Sequence, residues 1–306
     1  MTTAIAILTY NRLPALQETL KGVVEHCASH PVAVFEDCGY RDSTRAYLNG
    51  LRIEKKVRTS FELGSDVFEA GVGAKKVDVH LGLFNAGVAK NSNRALAWFM
   101  KTGCDHLCLL NDDLHVLGDF AKFYAEAHTD LGVGLFCFCD FTGETYQWIN
   151  IKSRGYTVKL LPRMVGIMMS MTRKVVESIG YFDPEFGKFG EEHCSYTNRA
   201  RFAGHMNLDG QVQHCLDVAH HRTGEPAKVL LKHQNVETSV TGRERQLADA
   251  EASAVMQRVA ASYMSKSVYR PYCIHMPELA GAYGGHGIPV DNLLGSYVLR
   301  DGRHVA

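Results

Sequence analysis

Along the first 110 positions, hydrophobic residues come in short unalternating runs, each followed by polar residues and then by apolar positions three and four apart. Residues 4–9 lead through Asn11 and Pro14 into Leu13, Leu16, Leu20, Val23 and Val24, which predicts a strand and then a helix. The pattern recurs at 32–35, followed by Glu36, Asp37, Cys38, Gly39 and a helix near 42–51. It recurs again at 77–81, followed by Gly82, Gly87 and a helix near 88–101, and a fourth run spans 106–110. Strands apolar on both sides and alternating with helices build parallel α/β sheets, whose ligands gather at the carboxyl ends of the strands. Thr9, Asn11, Asp37, Asn85, Asp112 and Asp113 therefore belong to one crevice.

Beyond residue 130 the pattern is less regular, with candidate strands at 133–138, 157–161 and 165–171 and a helix at 172–179. Gly180, Asp183 and Pro184 break the chain before a second helix that starts near Glu191 and runs to Ala203, and a further strand leads into Val218, Ala219, His220 and His221. After Gly224 the composition changes to helical stretches at 225–234 and 241–263 and a tail rich in glycine, tyrosine and histidine. Two units are expected: 1–224, carrying the crevice, and a helical extension, 225–306, packed on it.

A chain of 306 residues that is 46% hydrophobic can bury a substantial core. Lysine plus arginine balance aspartate plus glutamate at 33 each, so no global field draws it to nucleic acid or an anionic membrane. A local basic patch at Lys55, Lys56, Arg58, Lys75 and Lys76 is the exception to that balance. The nine cysteines show no spacing of a disulfide framework, and Cys137 and Cys139 fit a strand's core face better than a metal site. With no basic leader and no run near the ~18 apolar residues of a membrane span, a cytoplasmic protein is expected.

The candidate chemistry starts at residues 107–113, where a buried run ends in Asn111, Asp112 and Asp113. Carboxylates massed at the end of a buried strand repel one another and resist desolvation unless a cation or polar ligand lies in front of them. Oxygen ligands suit Mg²⁺ or Mn²⁺ bridging to a phosphate, although Asn and Asp also simply favour turns. Asp37, after the second strand, suits a base or sugar donor group, or a turn. The segment from Gly82 to Leu96 opens a helix with small residues and amides, a terminus that offers backbone N–H groups to an anion. Glu191 and Glu192 start another helix, where mutual repulsion could raise one of them toward a general base. His220 or His221 could add a nitrogen to a metal otherwise held by carboxylates, and His214 lies nearby.

Taken in order, these segments resemble the family 2 glycosyltransferases of the GT-A fold over roughly residues 4–224. The resemblance rests on the strand ending Thr9-Tyr10-Asn11-Arg12, on Asp37 to Thr44, on Asn85, Gly87, Asn91 and Asn93, on Asn111-Asp112-Asp113, and on Gly180 to Phe186 followed by Gly190-Glu191-Glu192. It implies a Rossmann-like mixed sheet flanked by helices. It also implies a metal-dependent enzyme moving a sugar from a nucleoside-diphosphate sugar to an acceptor hydroxyl, with inversion, retention being the alternative because retaining enzymes share the fold and the metal motif. Thr9, Tyr10, Arg12, Asp37, Asn85, Asn91 and Asp112 would face the donor, Asp113 and His220 would hold Mn²⁺ or Mg²⁺, and Glu192, or alternatively Glu191, would be the base. Cys38 and Asn111 depart from the family's usual acids. A nucleotidylyltransferase would need a glycine-rich loop after the first strand, which Thr9 to Pro14 lacks; a silent sugar- or protein-binding module is the other alternative. The acceptor stays open among a saccharide, a small molecule, a protein and a hydroxylated base in DNA.

Overall fold

The computed structural model describes residues 2–53, 57–60, 64–138, 140, 147–151, 154–161, 166–208, 211–212, 215–234 and 242–264. The first half runs β1 (Thr3–Thr9), α1 (Leu13–His26), β2 (Val32–Glu36), α2 (Thr44–Gly50), β3 (Arg58–Ser60), β4 (Ser65–Val72), β5 (Lys75–Gly82), α3 (Val88–Thr102), β6 (His106–Asn111) and β7 (Leu114–Val116). It continues with α4 (Phe120–Leu131), β8 (Leu135–Phe138), β9 (Gln147–Ile151), β10 (Tyr156–Leu161), β11 (Met168–Thr172), α5 (Arg173–Ile179) and α6 (Glu192–Phe202). The last elements are β12 (Asn207–Leu208), β13 (Gln211–Val212), β14 (Cys215–Arg222), β15 (Leu231–His233) and α7 (Gly242–Met264).

The main sheet has the order β3-β4-β5-β2-β1-β6-β11-β8. Its centre, β5-β2-β1-β6, is parallel, and every residue of β1 and β2 is buried, as unalternating apolar strands require. Antiparallel β4 and β3 extend one side and antiparallel β11 the other, so the sheet is mixed. The register aligns Leu8 with both Phe35 and Asn111. Thr9, Asp37 and Asp112 therefore emerge along one edge.

Helix α3 is the pillar behind that edge, and it buries polar residues along with apolar ones. Asn91 and Asn93 find partners, as burial demands, whereas Ser92 Oγ has none among the described residues. Asn91 donates to the Phe35 carbonyl at 3.0 Å, and Asn93 exchanges two hydrogen bonds with the backbone of Phe182, at 3.0 and 2.7 Å. The helix thus ties the nucleus of the sheet to the segment that precedes α6.

One element departs from expectation. Residues 225–234 do not form a helix; they reach back as β15, which pairs antiparallel with β7 through Leu231↔Val116 and His233↔Leu114. Helix propensity there yields to the open edge of β7 and to the burial of Leu231. The second expected helix is present as α7, with Ala248, Ala252 and Val255 buried. No helix among the described residues is long and apolar enough to cross a membrane.

Candidate functional site

The site is built on the turn after β6. Asn111 donates its amide N–H to the Gly166 carbonyl at 2.7 Å, and Thr19 Oγ1 lies 2.8 Å from the carbonyls of both Asp112 and Leu114, which share its one hydroxyl proton. The Asp113 carbonyl accepts from the Gln234 backbone at 2.9 Å, just past β15. Three separate segments thus hold one short acidic turn.

Within it the two acids have different surroundings. Asp112 Oδ2 accepts from Thr9 Oγ1 at 2.6 Å, and Oδ1 lies 3.2 Å from Arg12 Nη2. Burial pushes its pKa up to about 7, with Arg12 and Thr9 only partly offsetting the loss of water. Asp113 Oδ2 contacts the same Arg12 nitrogen and lies 3.2 Å from His233 Nε2. Burial opposes its charge too, but the His233 hydrogen bond and the Arg12 guanidinium outweigh it and hold its pKa below the usual range. Its other oxygen, Oδ1, is buried without a hydrogen-bond partner among the described residues.

That unpartnered oxygen bears on the expected cation. A carboxylate with one lone oxygen beside an imidazole suits a divalent ion that completes its shell with phosphate oxygens and water. Asp113 Oδ1 fits that donor set, and His233 would join it by giving up its Nε2 hydrogen bond to Asp113; no cluster of three or more metal-ligating side chains exists among the described residues. His220, expected in this role, is engaged elsewhere. Its Nδ1 accepts from the Leu230 amide at 3.2 Å, so Nε2 carries the proton and faces Tyr124 Oη at 3.2 Å, while that hydroxyl donates to Asp217 at 2.7 Å. Phe138 stacks on the ring at 5.4 Å, and burial lowers its pKa to about 4. No lone pair is left for a metal. His221 Nδ1 is buried without a hydrogen-bond partner among the described residues, and His214 lies outside them.

Asp37 borders the cleft, but its carboxylate is directed at protein. It accepts from the amides of Ala86 and Gly87 at 2.9 and 2.8 Å and from Arg94 at 2.8 Å. The Val88 amide donates to the Lys188 carbonyl at 3.1 Å. The helix opening expected to present these N–H groups to an anion therefore gives them to Asp37 and Lys188. Burial still raises the Asp37 pKa against the pull of Arg94.

The paired glutamates separate at the start of α6. Glu191 is exposed with a left-handed φ of 60°, while Glu192 points inward and is 4% exposed. Glu192 Oε1 lies 2.7 Å from His193 Nδ1, and Oε2 is buried without a hydrogen-bond partner among the described residues. Burial disfavours its charge, yet the His193 contact prevails and its pKa falls; the expected upward shift by Glu191 is not what the structure shows. Gly166 links this glutamate to the acidic turn. Its carbonyl receives Asn111, and a Cβ there would come within 2.5 Å of His193 Nδ1, so a larger residue would displace the His193 ring.

A cavity of about 110 Å³ is bordered by Thr9, Tyr10, Arg12, Asp37, Asn85, Asn91 and Asp112 among others, while Asp113, His233 and Glu192 lie outside its lining. Two further neighbours, Lys188 and Phe189, carried no signal in the sequence beyond their place between Gly187 and Gly190. His233 was also missed, because its segment read as a helix. Of the basic patch, Lys55 and Lys56 lie outside the described residues, Lys76 pairs with Glu69 at 3.0 Å, and Lys75 donates to the Ala28 carbonyl.

No family model and no curated protein sequence matches the chain. Solved structures do. The structure of GalNAc-T7 with UDP, GalNAc and Mn²⁺ aligns with a TM-score of 0.55 at 12% identity, over 92% of this chain and 52% of that one. The fold is the GT-A fold. Two further GT-A structures align more loosely. S. aureus TarS 1-349 in complex with UDP gives a TM-score of 0.45 at 15% identity, over 66% of this chain and 56% of that one. The mannosyltransferase PcManGT from Pyrobaculum calidifontis, in complex with GDP-Man and Mn²⁺, gives 0.46 at 13% identity, over 92% and 79%. The chain spans about half the length of GalNAc-T7 and of TarS 1-349.

Proposed function

We propose that this protein is a glycosyltransferase that moves a sugar from a nucleoside-diphosphate sugar to an acceptor hydroxyl, with inversion. The observation that carries this reading is the pair of buried, unpartnered carboxylate oxygens, Asp113 Oδ1 and Glu192 Oε2, on segments joined through Gly166. Each is costly to the fold on its own. A donor and an acceptor would supply what both lack.

Asp113 and His233 would hold Mn²⁺ or Mg²⁺, which when bound supplies positive charge against the donor diphosphate. Asp112, kept in place by Thr9 and Arg12, would receive a hydroxyl of the ribose or sugar. Tyr10, Asn85 and Asn91 border the space left for the nucleoside. Glu192 Oε2 would accept the acceptor's proton while the acceptor oxygen bonds to the anomeric carbon and the bond to the diphosphate breaks on the opposite face. Its lowered pKa keeps it ionised at neutral pH, at a cost in basicity.

The test is a donor screen: nucleotide sugars with Mn²⁺ present or chelated, scored by release of nucleoside diphosphate. Release from one donor series that depends on the cation is expected. No release from any donor would end the enzyme reading, and release that persists unchanged in Asp113→Ala would end the metal assignment.

A further inference from the structure

The cleft's own side chains leave a charge problem for any diphosphate. Arg94 pairs with Asp37, and Arg12 faces two carboxylates at once. Both guanidinium charges are thus already opposed by carboxylates, although Arg12 Nε has no hydrogen-bond partner among the described residues. Lys90, nearby, is 8% exposed and lies in the field of Asp37 and Glu251.

Lys188 is different. It is exposed, its ammonium has no partner among the described residues, and it borders both the cleft and a neighbouring pocket lined by Asn85, Lys90 and Glu251. Its backbone is fixed from two sides. A Cβ on Gly87 would meet the Gly187 carbonyl at 2.5 Å and Lys188 Cα at 2.7 Å, so the opening of α3 and this loop touch backbone to backbone. On the other side Gly187 presses against Glu251 of α7, and the Arg245 guanidinium lies 5.6 Å from the Phe189 ring.

We propose that Lys188 is the cation that contacts the donor diphosphate, carried on a loop clamped between α3 and α7. This rests on the donor reading above and adds a residue to it. An ammonium on a flexible stem is a point charge suited to phosphate oxygens, and it would attract the diphosphate before a metal ion does.

The experiment is calorimetric binding to the full chain, with chelator present so that no divalent ion bridges. The probes are uridine, UMP and UDP, with guanosine, GMP and GDP as a second series. Against the wild type, Lys188→Gln is expected to weaken the diphosphate of the binding series about tenfold and leave the nucleoside unchanged, with Lys188→Arg keeping most of the affinity. Unchanged diphosphate affinity in Lys188→Gln, or an equal loss for the nucleoside, overturns the assignment to Lys188 alone. A wild type that binds neither diphosphate overturns the donor reading and this one with it.

Discussion

Asp112→Asn is expected to stabilise the protein at neutral pH while lowering its activity. The reasoning starts from burial: Asp112 is 3% exposed, and its pKa is pushed from 3.8 to about 7. In the unfolded chain the carboxyl ionises near its ordinary value. Between about pH 4 and pH 7 the unfolded state has therefore released a proton that the folded state still holds. Fewer protons on the unfolded chain mean that stability falls as pH rises through this window. A span of about three pH units at about 1.4 kcal/mol each gives about 4 kcal/mol. Arg12 and Thr9 are already included in that shift, since both act to lower the pKa.

An asparagine has no such proton to lose, and its amide oxygen can still accept from Thr9. The clean observable is the stability difference between variant and wild type, followed across pH, because any fixed cost of the amide cancels. Urea unfolding with chelator present, at half-unit steps from pH 4 to pH 8.5, gives it directly. The difference is expected to be flat near pH 4, to grow in the variant's favour from there to about pH 7, and to level off above. A difference that stays constant across the whole range would refute the idea that Asp112 enters the fold against its own ionisation.

Glu192→Gln removes the base but keeps a group able to bond His193, so turnover should fall by about 10² to 10⁴ with little change in nucleotide affinity; parallel kcat and calorimetric measurements check this. Titration with Mn²⁺ by electron paramagnetic resonance should show binding weakened about tenfold or more in His233→Ala, by loss of a ligand. His220→Ala should leave Mn²⁺ binding intact but lower stability by about 2 kcal/mol, because the Leu230 amide and the Tyr124 hydroxyl lose a buried partner. Arg12→Gln leaves two adjacent buried carboxylates without their shared cation, so its melting temperature should rise more on adding Mn²⁺ than the wild type's does, as read in a thermal-shift series.

Local patterns were sufficient for the elements that carry the cleft. Strands β1, β2 and β6 are continuous apolar runs, and α3 and α6 follow glycine-containing breaks, so their order and polar ends can be read directly. What could not be read depends on distant partners. Strand β15 exists because β7 offers it an edge over 110 residues earlier, and nothing in Leu231, Lys232 and His233 announces that pairing. The role of Asp37 was legible as a polar strand end but not as an anchor, because its donors are Ala86, Gly87 and Arg94. His220 failed for the converse reason: a histidine after a core strand has the right address, but its surroundings of Phe123, Tyr124 and Phe138 make it a core group.

Several departures from good folding practice collect at one edge of the sheet. Asn11, Cys38 and Glu191 are the non-glycine residues with positive φ among those described, at 51°, 58° and 60°. They follow β1, follow β2 and begin α6, the three places from which the cleft is assembled. Asparagine tolerates that conformation, whereas cysteine and glutamate adopt it at a cost of roughly 1 kcal/mol or more. Beside them stand a carboxyl with a raised pKa and two buried oxygens without partners. A sequence selected only for stability would remove each of these separately, with a glycine at 38, an asparagine at 112 and an apolar residue at 192. Their coincidence at the carboxyl ends of parallel strands is the pattern expected where binding energy from a ligand, rather than the fold, is to satisfy the groups concerned.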